Sequence, residues 1–354
     1  MNVIGQGTYG CVHRKPIKCN DNGQLNIDYK NKISKLMTTK HADSELDEYA
    51  LIERADPNHK FHMESPIECN PEQSKSALNA IDKCDDFDRK DIEKYKLLIM
   101  PDGGINLNDY AKKNVGKRTI EIFWIEAQRI FYGLKVMFDN RIVHHDFKPH
   151  NIVYNTKTKR MNYIDFGFMS ETDSIINNCK QSNCKDGIAH WSFPYEFRFL
   201  NKGDYMVALN AGPNPPIHSD EQFNTFIEYV TKPGPVREQF KNDFTRSVSD
   251  MFKYDLRPET YDKFVKQSMD TTDVFSVGLS FLYVLNKFDY KMDPTLAGSM
   301  RDLFHHMVFP RVSLRISPTD ALNRYEAILA SSGLMAKHKR QFEVAKTRTD
   351  PPRN

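Results

Sequence analysis

His144-His145-Asp146-Phe147-Lys148-Pro149-His150-Asn151, followed after a short interval by Asp165-Phe166-Gly167, gathers a base, a cation and two oxygen ligands into one span. Phosphoryl transfer asks little covalent chemistry of a protein; it needs an aligned acceptor hydroxyl and neutralised charge on the moving group. Asp146 can accept or orient the hydroxyl proton, and Lys148 can sit against the γ-phosphate. Asn151 and Asp165 offer hard oxygen atoms suited to Mg²⁺. Either motif alone also describes a polar loop or a turn between strands, so the ordered combination carries the reading.

Working outward, Ile120, Phe123, Trp124, Ala127, Ile130, Phe131, Leu134 and Met137 recur at helical spacing and predict a long core helix leading into that span. Downstream of Asn151, two short apolar runs flank Asn155-Thr156-Lys157-Thr158, a hairpin that returns Asp165 beside Asn151. Far upstream, Ile4-Gly5-Gln6-Gly7-Thr8-Tyr9-Gly10-Cys11-Val12 has the glycines of a tight hairpin whose amides can approach phosphates. Turn chemistry at Asn20-Asp21-Asn22-Gly23 predicts a return through a strand ending Lys32-Ile33-Ser34-Lys35-Leu36-Met37. Ser44 to Arg54 reads as a helix capped by Asp43 or Ser44. Leu97-Leu98-Ile99-Met100 reads as a buried strand that Pro101-Asp102-Gly103-Gly104 ends.

In this order and spacing, the segments resemble the eukaryotic-type protein kinase superfamily from Ile4 to about Leu329. The resemblance implies a bilobal α+β fold, with a small antiparallel-sheet N-lobe carrying one main helix and a larger, mostly helical C-lobe. It puts the N-lobe at 1–100 with an insertion of doubtful order at about 71–93, a hinge at 101–106, the C-lobe at 107–335 with an insertion at about 200–268, and a basic tail at 336–354. MgATP, with Mn²⁺ as an alternative metal, would bind between the lobes. Ile4, Gly5, Gly7, Gly10 and Val12 would cover the nucleotide, and Met100 with the backbone of 101–103 would meet adenine. Lys35, with Lys32 in reserve, would hold the α- and β-phosphates and be paired by Glu48; Glu45 and Glu53 remain alternatives. Glu196 resembles the glutamate that closes the activation segment, with Arg315 as its partner, and Asp273 resembles an aspartate at a helix start that accepts catalytic-loop amides.

Lys148 resembles the serine/threonine branch, which implies protein substrates with Ser or Thr acceptors. The His-His-Asp spelling is similar to kinases of large DNA viruses. Two departures stand out: His145 replaces the arginine that reads an activation-loop phosphate, and Ala189 stands where a substrate-anchoring threonine is expected. A catalytically weak kinase-shaped binding protein and a small-molecule kinase of the aminoglycoside or choline type are the competing functions.

The 354 residues suit a two-lobed enzyme, and a formal net charge of +3 demands neither nucleic acid nor an anionic membrane as partner. The longest apolar run, Phe275 to Leu285, is too short to span a bilayer. The cysteines Cys11, Cys19, Cys69, Cys84, Cys179 and Cys184 read as reduced thiols, the last two on a loop, in a cytoplasmic or nuclear protein. Oligomeric state is open.

Overall fold

The glycine-rich opening forms an antiparallel hairpin of β1 (Asn2–Gly7) and β2 (Gly10–Arg14), with a register shift between Val3 and Gly5. The structure is a computed structural model that describes residues 1–7, 10–20, 24–183, 190–212, 220–340 and 343. Thr8, Tyr9, the turn expected after Asn20, Cys184, Ala189, Pro213, Pro215, Pro216 and most of the basic tail lie outside the described residues. Two units are present, Met1–Gly104 and Ile105–Asn354.

In the first unit, β3 (Lys32–Thr38), α1 (Thr39–Ala55), β4 (Ile67–Cys69), α2 (Lys75–Ile81) and β5 (Tyr95–Pro101) follow the hairpin. The strands make one antiparallel sheet in the order β1-β2-β3-β5-β4. Strand side chains alternate between faces. Met37, Leu98 and Met100 therefore pack on one face with Ala42 and Leu46 of α1. Cys11, Leu36, Leu97 and Ile99 fall on the other and pack with Ala77, Ala80, Ile81 and Cys84.

Three expectations change here. The 71–93 region, expected to be of doubtful order, holds a packed helix: Ser74 caps α2 through the amide of Ala77, and the helix buries Ala77, Ala80 and Ile81 against the sheet. The apolar second face of the sheet needs that cover. Nor are the cysteines all reduced, because Cys11 is bonded to Cys84 and Cys19 to Cys69, while Cys179 is buried in a helix rather than placed on a loop. Finally, α1 begins at Thr39, five residues before the expected Ser44, and buries Ala42, Glu45, Tyr49 and Ile52.

The second unit runs through β6 (Ile105–Asn106), α3 (Leu107–Tyr110), α4 (Lys117–Asp139), β7 (Ile142–Val143), β8 (Ile152–Asn155), β9 (Arg160–Tyr163), β10 (Ser170–Glu171) and α5 (Thr172–Lys180). The longer helices α6 (Lys202–Ala211), α7 (Glu221–Val230), α8 (Pro235–Tyr254), α9 (Tyr261–Phe288), α10 (Pro294–Met307) and α11 (Pro318–Ser331), with the short α12 (Leu334–Lys337), complete it. An antiparallel sheet with one long helix, followed by a mostly helical unit, is the α+β kinase-like fold expected from sequence. α4 buries every apolar residue of its predicted stripe, and Trp124 is wholly enclosed. Within the region 200–268, α7 and α8 pack on the unit's own core: the ring of Phe226 of α7 lies 5.1 Å from that of Phe244 of α8 and 5.5 Å from that of Phe275 of α9.

Asp273 was expected at a helix start but lies inside α9, because Tyr261, Phe264, Val265, Ser268 and Met269 extend the buried helical series upstream. Gly278 on the same helix meets α10 closely; a Cβ there would stand 2.5 Å from Met307 Cβ. Among the described residues, no helix is long and apolar enough to cross a membrane.

Candidate active site

The candidate residues form two groups, one in each unit. In the second unit, β8 and β9 pair with Ile152 opposite Tyr163, and the Asn155 side chain accepts the amides of Lys157 and Thr158 to close the turn. The amide of Ile164 donates to the carbonyl of Asn151 at 3.1 Å, which sets Asp165 next to the span that begins at His144.

Within that span, the Asp146 carboxylate is held from two sides. Lys148 Nζ donates to Oδ2 at 2.8 Å and Oδ1 at 3.0 Å, and Asn151 Nδ2 donates to Oδ2 and to the Asp146 carbonyl, both at 2.9 Å. With Nδ2 so committed, the oxygen Oδ1 is the atom Asn151 has for a metal. Asp165 is exposed, whereas Phe166 beside it is buried. His145 and Asp165 both adopt left-handed backbone, φ 68° and 63°. Non-glycine residues in that region cost of order 1–3 kcal/mol and persist where the surroundings enforce them.

The enforcing contacts are visible. Asp273 accepts the amides of His144 at 2.8 Å and His145 at 3.0 Å. His144 Nε2 donates to the Ile164 carbonyl at 3.1 Å while its Nδ1 faces the Asp146 amide at 3.4 Å, tying the span to the strand before Asp165. The His145 ring is buried beside Phe193 and Phe197, with centroids at 5.9 and 5.1 Å. Glu196 and Arg315 form a fully buried two-pronged pair at 2.7 and 3.0 Å, with Arg315 Nε on the Phe309 carbonyl.

Burial pushes His144 down to about 4 despite the nearby carboxylates, so the ring is neutral, as its two contacts require. Burial also pushes Asp273 up to about 7, although two amides favour its anion. The signs are opposite. His144 contributes stability that is present above pH 6.5 and lost on acidification toward 4; Asp273 contributes stability present below 3.8 and lost as pH rises toward 7. Asp273→Asn removes the second term, so its stability relative to the wild type should rise by up to about 4 kcal/mol between pH 4 and 7. Urea midpoints across that range measure it, and a constant offset would show that Asp273 ionises normally.

In the first unit, Lys35 stands between Val12 of β2 and Leu98 of β5 in the register of the sheet. Its Nζ donates to Glu45 Oε2 at 2.5 Å. The expected partner Glu48 is only partly buried and meets Ser44 Oγ at 3.5 Å. The reason is helical phase: Glu45 belongs to the inward series Ala42, Glu45, Tyr49 and Ile52, and Glu48 does not. That spacing was present in the sequence, but the expected helix started too late to include Ala42.

Gly5 and Gly7 are exposed, and a Cβ on either would meet nothing within 4 Å; Gly10 is buried, 3.1 Å from Lys35 Cε by the same test. Ile4 is exposed, Val12 half-buried, and Met100 buried opposite Ile33. Of the backbone expected to meet adenine, the Asp102 amide is engaged by the Asn31 carbonyl at 2.8 Å.

A family model described as the ABC1 atypical kinase-like domain matches residues 93–181, a span that contains Asp146, Lys148, Asn151 and Asp165. No curated protein matches the chain by sequence. The sheet with its long helix, the helical second unit and this match over part of the chain support a kinase-like α+β fold.

Proposed function

We propose that the protein is an ATP-dependent kinase that transfers the γ-phosphate to Ser or Thr hydroxyls of protein substrates. The observation that carries this is the Asp146 carboxylate, clamped by Lys148 and Asn151 yet left with a lone pair on Oδ1 for an acceptor hydroxyl. Asn151 Oδ1 and the Asp165 carboxylate fit Mg²⁺ or Mn²⁺, which when bound supplies charge neutralisation on the phosphates. Lys35, steadied by Glu45, binds the α- and β-phosphates; Lys148 offsets charge on the γ-phosphate; Asp146 orients the hydroxyl and takes up its proton.

Lys148-Pro149, Asp165-Phe166-Gly167 and the Glu196–Arg315 pair favour a protein acceptor. The match to an atypical kinase-like domain favours, as a second reading, a small-molecule acceptor or a protein that binds nucleotide without turnover. Labelled ATP offered with a basic protein, a sugar and choline separates these. Transfer to Ser or Thr of protein, lost in Asp146→Asn, supports the proposal; transfer to a small acceptor alone, or binding with no transfer, rejects it.

Two results follow from the geometry. A hydrogen bond to a charged partner contributes about 1.5–3 kcal/mol, so Glu45→Gln should lower kcat/KM roughly ten- to hundredfold. Glu48→Gln should cost less, since Glu45 and not Glu48 is among the buried residues of α1; equal losses would return Glu48 to the site. With His145 enclosed by Phe193 and Phe197, turnover should survive complete phosphatase treatment. Loss of activity restored by a phosphate between Phe168 and His190 would refute that.

A further inference from the structure

Beyond the last turn of α1, Asp56-Pro57-Asn58-His59-Lys60-Phe61-His62 folds back on the helix. Asp56 organises the turn. Its Oδ1 accepts the amide of Lys60 at 2.8 Å, and its Oδ2 accepts the amide of Phe61 at 2.9 Å and His62 Nδ1 at 2.8 Å. Because a carboxylate can only accept, His62 Nδ1 carries a proton, and in the neutral ring Nε2 is then a lone pair. That nitrogen is buried and faces Glu53 Oε1 at 3.5 Å. His59 Nε2 meets the same carboxylate, 3.0 Å from each oxygen. The His59 and His62 rings stand edge to face with centroids 5.1 Å apart, and the donor atoms of Glu53, His59 and His62 all lie within 4.8 Å of one another.

A nitrogen facing a carboxylate oxygen across 3.5 Å is satisfied either by a proton on the ring or by a cation between the two, and the convergence of a third donor, His59, is what points to a cation. Donors about 2.0–2.1 Å from a tetrahedral zinc are spaced by about 3.3 Å, close to the 3.0 and 3.5 Å that separate Glu53 from the two imidazoles. A buried aspartate behind a ligating imidazole is also the usual device for fixing its tautomer toward a metal. We propose that Glu53, His59 and His62 form a zinc site, oriented by Asp56, that fastens the C-terminal end of α1 to the following turn. Two imidazoles and a carboxylate suit zinc over magnesium or calcium. The side chains of Glu53 and His59 are 29% and 32% exposed, which leaves room for water as a fourth ligand. The site concerns the helix that carries Glu45, but it does not depend on the kinase reading.

The test uses the full chain without reductant, freed of metal with EDTA and then kept in excess MgCl₂ so that hard-oxygen sites are filled. Zinc titration by calorimetry and cobalt titration by visible absorption should each give one equivalent, with the intense bands of four-coordinate cobalt. Asp56→Asn should weaken zinc binding 10- to 100-fold. Glu53→Gln and His59→Ala, both at partly exposed positions that spare the core, should abolish the cobalt bands while leaving the circular dichroism unchanged. The proposal is overturned if the wild type takes up no zinc, or takes it up as tightly as His59→Ala does. In either case a doubly protonated His62 bonded to Glu53 accounts for the contact.

Discussion

Asp146→Asn should lower kcat by about 10²–10⁴-fold while leaving KM for ATP within about twofold. The amide keeps the size of the carboxylate and can still accept from Lys148 and Asn151, so the loop should hold its shape. What it loses is the negative charge and basicity that the acceptor hydroxyl meets as its proton departs, an interaction realised in the transition state. Nucleotide contacts proposed for Lys35, Asn151 and Asp165 are untouched. Steady-state kinetics with a protein acceptor separate the two constants. A fall of less than tenfold in kcat would remove Asp146 from the chemistry, and a collapse of ATP affinity would mean that it binds nucleotide instead.

Reduction of the two disulfides should destabilise the first unit by about 7 kcal/mol. Closing loops of 73 and 50 residues is worth about 4 kcal/mol each in the chain-entropy account. The bridges are nested, Cys19–Cys69 inside Cys11–Cys84, so the inner one shortens the outer loop and the sum is less than twice a single bridge. Domains are stable by only about 5–15 kcal/mol, so the loss approaches the whole. Calorimetry with and without reductant should show a low-temperature transition shifted by on the order of 15 °C or more. Thiol titration of the unfolded, unreduced chain should find Cys11, Cys19, Cys69 and Cys84 unreactive. Six reactive thiols, or an unchanged transition, would overturn the pairing.

The two bridges also explain what held the first unit's geometry out of reach of a linear reading. Lys75 to Lys94 shows little amphipathic pattern because only Ile81 and Ile92 among its buried groups are large; Ala77, Ala80 and Cys84 gain their value only against Cys11, Leu36, Leu97 and Ile99 of the sheet. A cysteine's oxidation state is likewise set by which other cysteine the fold brings near. Spacing along the chain gave no hint that Cys11 would meet Cys84.

From sequence alone came the α+β kinase-like fold, the core stripe of α4, the hairpin that returns Asp165 to Asn151, and the Glu196–Arg315 pair. The stripe and the hairpin rest on short-range constraints, helical and strand periodicity and turn chemistry, whereas the fold and the Glu196–Arg315 pair are what the ordered motifs imply through their resemblance to protein kinases. Tertiary structure alone decided that Lys35 meets Glu45, that a helix within 71–93 packs on the sheet, and that α9 runs unbroken through Asp273. The phase of a helix, like the pairing of cysteines, depends on what the opposing surface buries, and that surface is assembled from residues far apart in the chain.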